Sequence, residues 1–92
     1  YLIDGFKFDL RIYVLITSCD PLKVFIYKEA MVRFATEEWD IESATNYDNL
    51  FMHLTNYAIN KDNGMIISDN PHDDVGHKRL LSTVLKVRKF NN

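Results

Sequence analysis

The chain has 92 residues, 47% hydrophobic and 26% charged, and its formal net charge of −2 favours neither an anionic nor a cationic partner. This length and composition suit one small, folded, soluble domain. Cys19 is the only cysteine, which excludes an internal disulfide and favours a reducing compartment. No apolar run approaches the ~18 residues that span a bilayer, and no signal peptide is recognised, so we expect no membrane partner. A first residue of Tyr, directly before a predicted strand, indicates a piece cut from a longer protein.

Charge is unevenly distributed along the chain. Residues 1–35 carry five basic and four acidic side chains, residues 36–75 one and nine, and residues 76–92 five and none. Such an asymmetry indicates either a surface that discriminates between partners by their charge, or an acidic and a basic segment that attract each other.

Residues 6–16, FKFDLRIYVLI, alternate with a period of two and predict a strand buried on one face. The apolar face would carry Phe6, Phe8, Leu10, Ile12, Val14 and Ile16. The opposite face presents Lys7, Asp9 and Arg11, spaced about 7 Å apart. This charged row could hold a phosphate chain, a metal-bridged phosphate or a carboxylate, or it could be a solvated face without a ligand.

A hairpin is predicted next. Residues 17–22 have loop composition, and residues 23–28 form a second strand that is apolar on both faces and therefore central in its sheet. Residues 29–30 interrupt the alternation before residues 31–35 resume an extended pattern. Arg33 lies among apolar neighbours in that run. Its guanidinium therefore needs an anionic partner, or the side chain must extend to the solvent at a sheet edge.

The second half of the chain is more polar. Residues 37–49 predict an acidic loop that can include one turn of helix, and residues 49–61 fit a helix and a strand comparably well. The apolar background of residues 49–61 would bury several polar groups, which then need a backbone or a ligand as partner. Residues 62–64 predict a turn, residues 68–74 a loop whose His and Asp residues are better explained by solvation than by a metal, and residues 76–92 an amphipathic basic helix. The fold class is therefore α+β, with antiparallel strands and a short C-terminal helix.

Three segments in order resemble one known family, the tubulin–tyrosine ligase-like family. They are DGFKFDLRIYVL at residues 4–15, YKEAMVRFAT at residues 27–36 and NLFMHLTNYAINK at residues 49–61. Together they lie within residues 2–61, about two-thirds of the chain, and their joint occurrence by chance is very unlikely. The resemblance implies that residues 1–92 are the central part of an ATP-grasp domain, incomplete at both ends.

The resemblance also implies an activity. The family joins an amino acid to a protein carboxylate, usually in tubulin tails: ATP phosphorylates the acceptor carboxylate and the incoming amine attacks the acyl phosphate. The RFAT ending at Thr36 and the Asn56-Tyr57 pair resemble the glutamylating branch, which implies a tubulin polyglutamylase that uses free glutamate, ATP and Mg²⁺. The implied location is cytoplasmic, on microtubules of the cytoskeleton, the cilium or the basal body. No nucleic-acid partner is implied.

Residue roles follow from the same resemblance. The ATP-contacting residues would be Lys7, Phe8, Asp9, Thr55 and Asn56. Arg11 would face phosphates as a catalytic residue, and Arg33 would be catalytic and would grip the carboxylate of the amino acid. Tyr57 and Lys78 would complete the substrate site. The magnesium ligands of the family lie in a later segment, so this chain is expected to hold no metal and to be inactive by itself.

Two positions depart from the family pattern. Ala58 replaces a common Ser, which leaves the amino-acid substrate open, and Ala30 replaces a common Gly. A tyrosine or glycine ligase of the same family is one alternative, and a non-catalytic cytoskeletal binding module is another.

Overall fold

The computed structural model describes residues 1–40, 46–63, 72 and 76–90. Three antiparallel strands form one sheet in the order β1-β2-β3: β1 (Phe8–Cys19), β2 (Leu22–Phe34) and β3 (Lys78–Leu80). Three α-helices accompany them, α1 (Leu50–His53), α2 (Tyr57–Asn60) and α3 (Leu81–Phe90), with 3₁₀ turns at Asn46–Asp48 and Lys61–Asn63. The predicted antiparallel strands and C-terminal helix are present. Residues 78–80, which were predicted to be helical, instead form β3 because they pair with residues 31–33 of β2.

The hairpin turn is tighter than predicted. Strand pairing continues to Cys19↔Leu22, so Asp20 and Pro21, joined by a cis peptide bond, are the only residues outside the strands. The loop prediction for residues 17–22 was therefore wrong at both ends. A missing donor at Pro21 costs no ladder hydrogen bond when the proline lies at the turn itself, and its neighbours stay paired.

The predicted break in alternation at Glu29 and Ala30 coincides with an irregularity in the strand pairing, although β2 continues through it. Between the pairs Ile12↔Ala30 and Val14↔Ile26, β1 contributes one residue, Tyr13, while β2 contributes three. A local irregularity of this bulge type absorbs the break in alternation without ending the strand.

The outer half of the hairpin is exposed, which contradicts the predicted burial of one strand face. Leu10 is 45% exposed, Val14 55% and Ile16 57%, and Ile26 on β2 is 70% exposed. β2 is the central strand, as predicted, but β3 pairs only with its residues 31–33. Since no other described element covers the rest of the hairpin, its apolar residues remain at the surface.

The core lies at the opposite end of the hairpin, where β2 meets α3. Its buried side chains are Ile3, Val32, Phe34 and Val84, with Phe6, Phe8 and Leu81 packed against them. The predicted inward direction of Phe6 and Phe8 is therefore confirmed. Within the described residues, no helix is long and apolar enough to cross a membrane.

Glu29 joins the irregular part of β2 to α3. Its Oε1 accepts hydrogen bonds from the backbone N–H groups of Ala30, at 3.1 Å, and Ser82, at 3.2 Å. Ser82 lies in the first turn of α3, where backbone N–H groups lack partners within the helix and a negative charge is favourable. Hydrogen bonds from the Ser82 side chain and from the Ala30 and Ser82 backbone lower the pKa of Glu29.

Candidate functional site

Strand pairing builds a charged row on the sheet face opposite the core. Asp9 on β1 pairs with Arg33 on β2, which pairs with Lys78 on β3. Arg11 pairs with Met31 in the adjacent row. Because residues two apart on a strand share a face, residues from three separate strands are brought onto one surface.

Asp9 and Arg33 form a two-pronged ion pair. Nε of Arg33 donates to Oδ1 of Asp9 at 2.9 Å, and Nη2 donates to Oδ2 at 2.6 Å. Thr55 adds a third bond, from its Oγ1 to Oδ2 of Asp9, at 2.9 Å. The bond from Arg33 lowers the pKa of Asp9 and raises the pKa of Arg33. The anionic partner that the sequence required for Arg33 is thus Asp9, and with 20% of its side chain exposed, Arg33 does not simply escape to water.

A solvent-open cavity of 190 Å³ lies beside this pair. It is lined by Arg11, Tyr13, Met31, Arg33, Tyr57 and Lys78. The ammonium of Lys78 lies 4.7 Å from the centre of the Tyr57 ring, a cation–π contact. Among the described residues, three cations therefore line the cavity and no carboxylate does, while Asp9 pairs with only one of the three. Such a surplus of positive charge favours an anionic ligand.

The cavity brings together all four residues that the resemblance placed in the catalytic and amino-acid sites: Arg11, Arg33, Tyr57 and Lys78. Tyr13 and Met31 were not singled out as site residues. The two-residue period of the strands could have indicated them as cavity residues, because Tyr13 shares a face with Arg11 and Met31 shares one with Arg33.

Residues 49–61 combine the two structures that the sequence left open. Residues 54–56 are extended, between the single-turn helices α1 and α2. This places Thr55 against Asp9 and brings Tyr57, the first residue of α2, to the cavity.

Asn60 holds that arrangement from behind. It is fully buried, at 0% exposure, and its Oδ1 accepts from the hydroxyl of Thr36 at 2.7 Å. Its Nδ2 donates to the carbonyl oxygens of Leu54, at 2.8 Å, and Asn56, at 2.9 Å. Asn63 then donates to the Thr36 hydroxyl at 2.7 Å. The backbone and neighbouring side chains, rather than a ligand, are therefore the partners of this buried amide.

The residues assigned to ATP have different surroundings. Nζ of Lys7 donates to the backbone carbonyl of His53, two residues before Thr55, at 2.8 Å. The side chain of Asn56 makes no capping bond to α2. Phe8 packs on Phe34, with ring centres 6.1 Å apart, so its side chain belongs to the core rather than to a nucleotide site. An ammonium and an amide group can donate to phosphate oxygens, whereas the single hydroxyl hydrogen of Thr55 is already donated to Asp9. Lys7 and Asn56 therefore fit a nucleotide better than Phe8 does, and Thr55 would have to release Asp9 to donate to one.

The described residues do not provide a magnesium site. They contain no group of three His, Cys, Asp or Glu side chains close enough to share a metal. Both oxygens of Asp9 are already bonded to Arg33 or Thr55. The loop at residues 68–74, whose His and Asp residues were weighed as a metal site, falls outside the described residues except for His72.

His77 is a buried group that the sequence did not indicate. It is 3% exposed, and neither ring nitrogen has a hydrogen-bond partner among the residues that the structure describes. Its carbonyl accepts from the N–H of Phe34 at 2.8 Å, which continues the β2–β3 pairing next to Lys78. Burial lowers the pKa of His77 and keeps the imidazole neutral.

Comparison with known proteins identifies relatives over almost the whole chain. It is 52% identical over 89 residues to the "Probable beta-tubulin polyglutamylase" of Tetrahymena thermophila, which covers 95% of this chain and 7% of that protein. It is 59% identical over 83 residues to the human "Tubulin polyglutamylase TTLL13", with 90% of this chain and 10% of the relative covered. It is 50% identical over 90 residues to the human "Tubulin polyglutamylase TTLL5", with 96% of this chain and 7% of the relative covered.

The chain thus spans a tenth or less of the length of these relatives. The profile of the Tubulin-tyrosine ligase family matches residues 1–89, nearly the whole chain and all three motifs that suggested the resemblance. This chain belongs to the tubulin-tyrosine ligase family.

Proposed function

We propose that a polypeptide carrying this segment with its natural flanks is an ATP-dependent ligase that adds glutamate to glutamate side chains of tubulin tails. The observation that carries the proposal is the convergence of Arg11, Arg33, Lys78 and Tyr57 on one cavity with surplus positive charge. The names of the relatives, which are tubulin polyglutamylases, support tubulin as the substrate.

The proposed reaction has two steps. The γ-phosphoryl group of ATP is transferred to a carboxylate oxygen of the acceptor, and ADP leaves. The amine of free glutamate then attacks the acyl carbon, the bond to phosphate breaks, and the amine loses a proton as the amide forms. Negative charge develops on phosphate and carboxyl oxygens in both steps, so fixed cations stabilise the transition states.

The residues of this chain divide into two groups in the proposal. Arg33, Lys78 and Tyr57 bind glutamate, whose carboxylates match guanidinium and ammonium groups. Arg11, at the same cavity, faces the transferred phosphoryl group.

The nucleotide lies nearer to the start of β1 in this proposal. Lys7, Thr55 and Asn56 contact ATP, Phe8 contributes its backbone, and Asp9 contacts this group through Thr55. The magnesium ions that accompany ATP are held by residues outside the described part of the chain, in an ATP-grasp domain of which this segment is one part. The proposed location is the microtubule cytoskeleton, including cilia and basal bodies.

The test is a ligation assay with the segment in its natural flanks. Microtubules, ATP and Mg²⁺ are incubated in turn with labelled glutamate, glycine or tyrosine, and incorporation into tubulin is measured. We expect glutamate alone to be incorporated. Glycine or tyrosine incorporation would indicate the alternative ligases, and microtubule binding without any incorporation would indicate a binding module.

Arg33→Lys tests the assigned site within that assay. Lysine keeps the charge but loses the two-pronged geometry, so we expect the KM for glutamate to rise at least tenfold while the KM for ATP changes less than twofold. Lys23→Arg, at the exposed hairpin tip, is the matched control and should change neither constant. An unchanged KM for glutamate in Arg33→Lys would remove Arg33 from the amino-acid site.

A further inference from the structure

We propose that Asp9 is a positioning residue for the amino-acid substrate: it holds the guanidinium of Arg33 by one edge and thereby presents the other edge to the substrate carboxylate. This inference rests on the proposed function, since it assigns a role within the same cavity. It differs from the nucleotide role that the family resemblance implied for Asp9.

The first argument is a count of donors on Arg33. A guanidinium has five N–H donors. Asp9 takes the one on Nε and one of the two on Nη2. Both hydrogens on Nη1 and the second one on Nη2 remain, and no described residue accepts a bond from Nη1. That remaining edge is the one a second carboxylate needs for a two-pronged bond.

The second argument is that the carboxylate of Asp9 is already largely occupied. Its Oδ1 accepts one bond from Arg33, and its Oδ2 accepts one from Arg33 and one from Thr55. A carboxylate offers about four lone-pair sites in all. Its negative charge would also repel phosphate oxygens unless a metal lay between them. The observed bonds therefore assign Asp9 to Arg33 and Thr55 rather than to a nucleotide.

The third argument concerns rigidity. Asp9 and Arg33 are directly paired residues of β1 and β2, so the backbone fixes the distance between their side chains. An arginine held in this way loses little rotamer freedom when a ligand binds, which is how pre-organisation improves binding. Through Thr55, the same carboxylate links the cavity to residues 54–56, where the proposed nucleotide contacts lie.

The kinetic experiment uses Asp9→Asn in the polypeptide with its natural flanks. Asparagine has nearly the shape of aspartate but carries no negative charge. Its NH₂ group therefore faces the guanidinium of Arg33 without forming the ion pair that holds it. We expect the KM for glutamate to rise at least tenfold, with the KM for ATP changed less than twofold. Asp20→Asn, the same substitution at the remote hairpin turn, should leave both constants unchanged. A rise in the KM for ATP alone, or no change in either constant, would overturn the proposal.

A second experiment does not depend on ligation. The Nε–H signal of Arg33 is identified by nitrogen-15 NMR from its disappearance in Arg33→Lys, and L-glutamate is titrated without ATP or tubulin. We expect glutamate to shift this signal in the parent protein and its Kd to be at least tenfold weaker in Asp9→Asn. If the parent binds glutamate in this way but ligates nothing, the proposed function fails and the role of Asp9 stands. A Kd that is unchanged in Asp9→Asn would refute that role even in an active ligase.

Asp9→Glu is the control for the possibility that Asp9→Asn simply fails to fold. It keeps the charge and its pairing with Arg33 but moves the carboxylate by one methylene. We expect a KM for glutamate between those of the parent and Asp9→Asn. A KM for glutamate as high as that of Asp9→Asn, with circular dichroism unchanged, would show that a carboxylate at position 9 does not hold Arg33 for the substrate and would overturn the proposal.

Discussion

Replacing Asn60 with leucine should open the short segment that holds Thr55 and Tyr57 at the site. Leucine has nearly the shape of asparagine but removes all three side-chain hydrogen bonds made by this fully buried residue. The hydroxyl of Thr36 loses its acceptor, and the carbonyl of Leu54 loses the amide donor. The carbonyl of Asn56 still accepts from the backbone N–H groups of Ile59 and Asn60, so its loss is small.

The expected cost follows from these losses. Leaving a buried polar group without its partner costs about 1–3 kcal/mol, and two groups are affected substantially. Part of this is offset by the greater apolar surface of leucine, about 1 kcal/mol. We therefore expect the free energy of opening residues 54–60 to fall by about 3 kcal/mol. At 1.4 kcal/mol per factor of ten, this is a roughly 100-fold loss of protection.

Hydrogen exchange measured by mass spectrometry tests this locally, because the N–H groups of Ile59 and Asn60 are bonded to the carbonyl of Asn56. Asn56→Ala is the matched control: this side chain makes no capping bond to α2, so protection should change less than twofold. The reasoning would be refuted by a loss below fivefold in Asn60→Leu, or by an equal loss in the control.

Two predictions concern pH. Because hydrogen bonds lower the folded-state pKa of Glu29, its stabilising contribution is present above its ordinary value of 4.5 and is lost as the pH falls through the lower folded value. The urea midpoint of Glu29→Gln should therefore lie below that of the parent at pH 7 and approach it as the pH falls well below 4.5, and a constant difference would contradict the assignment. Because burial lowers the pKa of His77, the unfolded chain binds the proton more readily, and stability should fall as the pH drops below 6.5. His77→Leu should abolish that fall in thermal unfolding between pH 7 and 5; an undiminished fall would place its origin elsewhere.

Much of the candidate site could be predicted from the sequence because the relevant patterns are local. A period of two placed Asp9 and Arg11 on one strand face, and the apolar neighbours of Arg33 required an anionic partner for it. Neither pattern identified that partner. Asp9 lies 24 residues away and was paired with Arg33 only by the register of β1 and β2. Asn60 was recognisable as a polar residue in an apolar segment, whereas His77 carried no signal, because nothing local distinguishes a buried imidazole from a solvated one.

Local sequence patterns were enough to predict the hairpin, the C-terminal helix, the family and the residue types of the site, since alternation, helical spacing and motif order are all properties of neighbouring residues. Which of these residues meet depends on tertiary packing. β3 formed from residues predicted as helix because a free strand edge on β2 offered hydrogen bonds, and this pairing placed Lys78 opposite Arg33. The outer half of the hairpin is exposed for the complementary reason: burial depends on what packs against a strand, and no described element packs there.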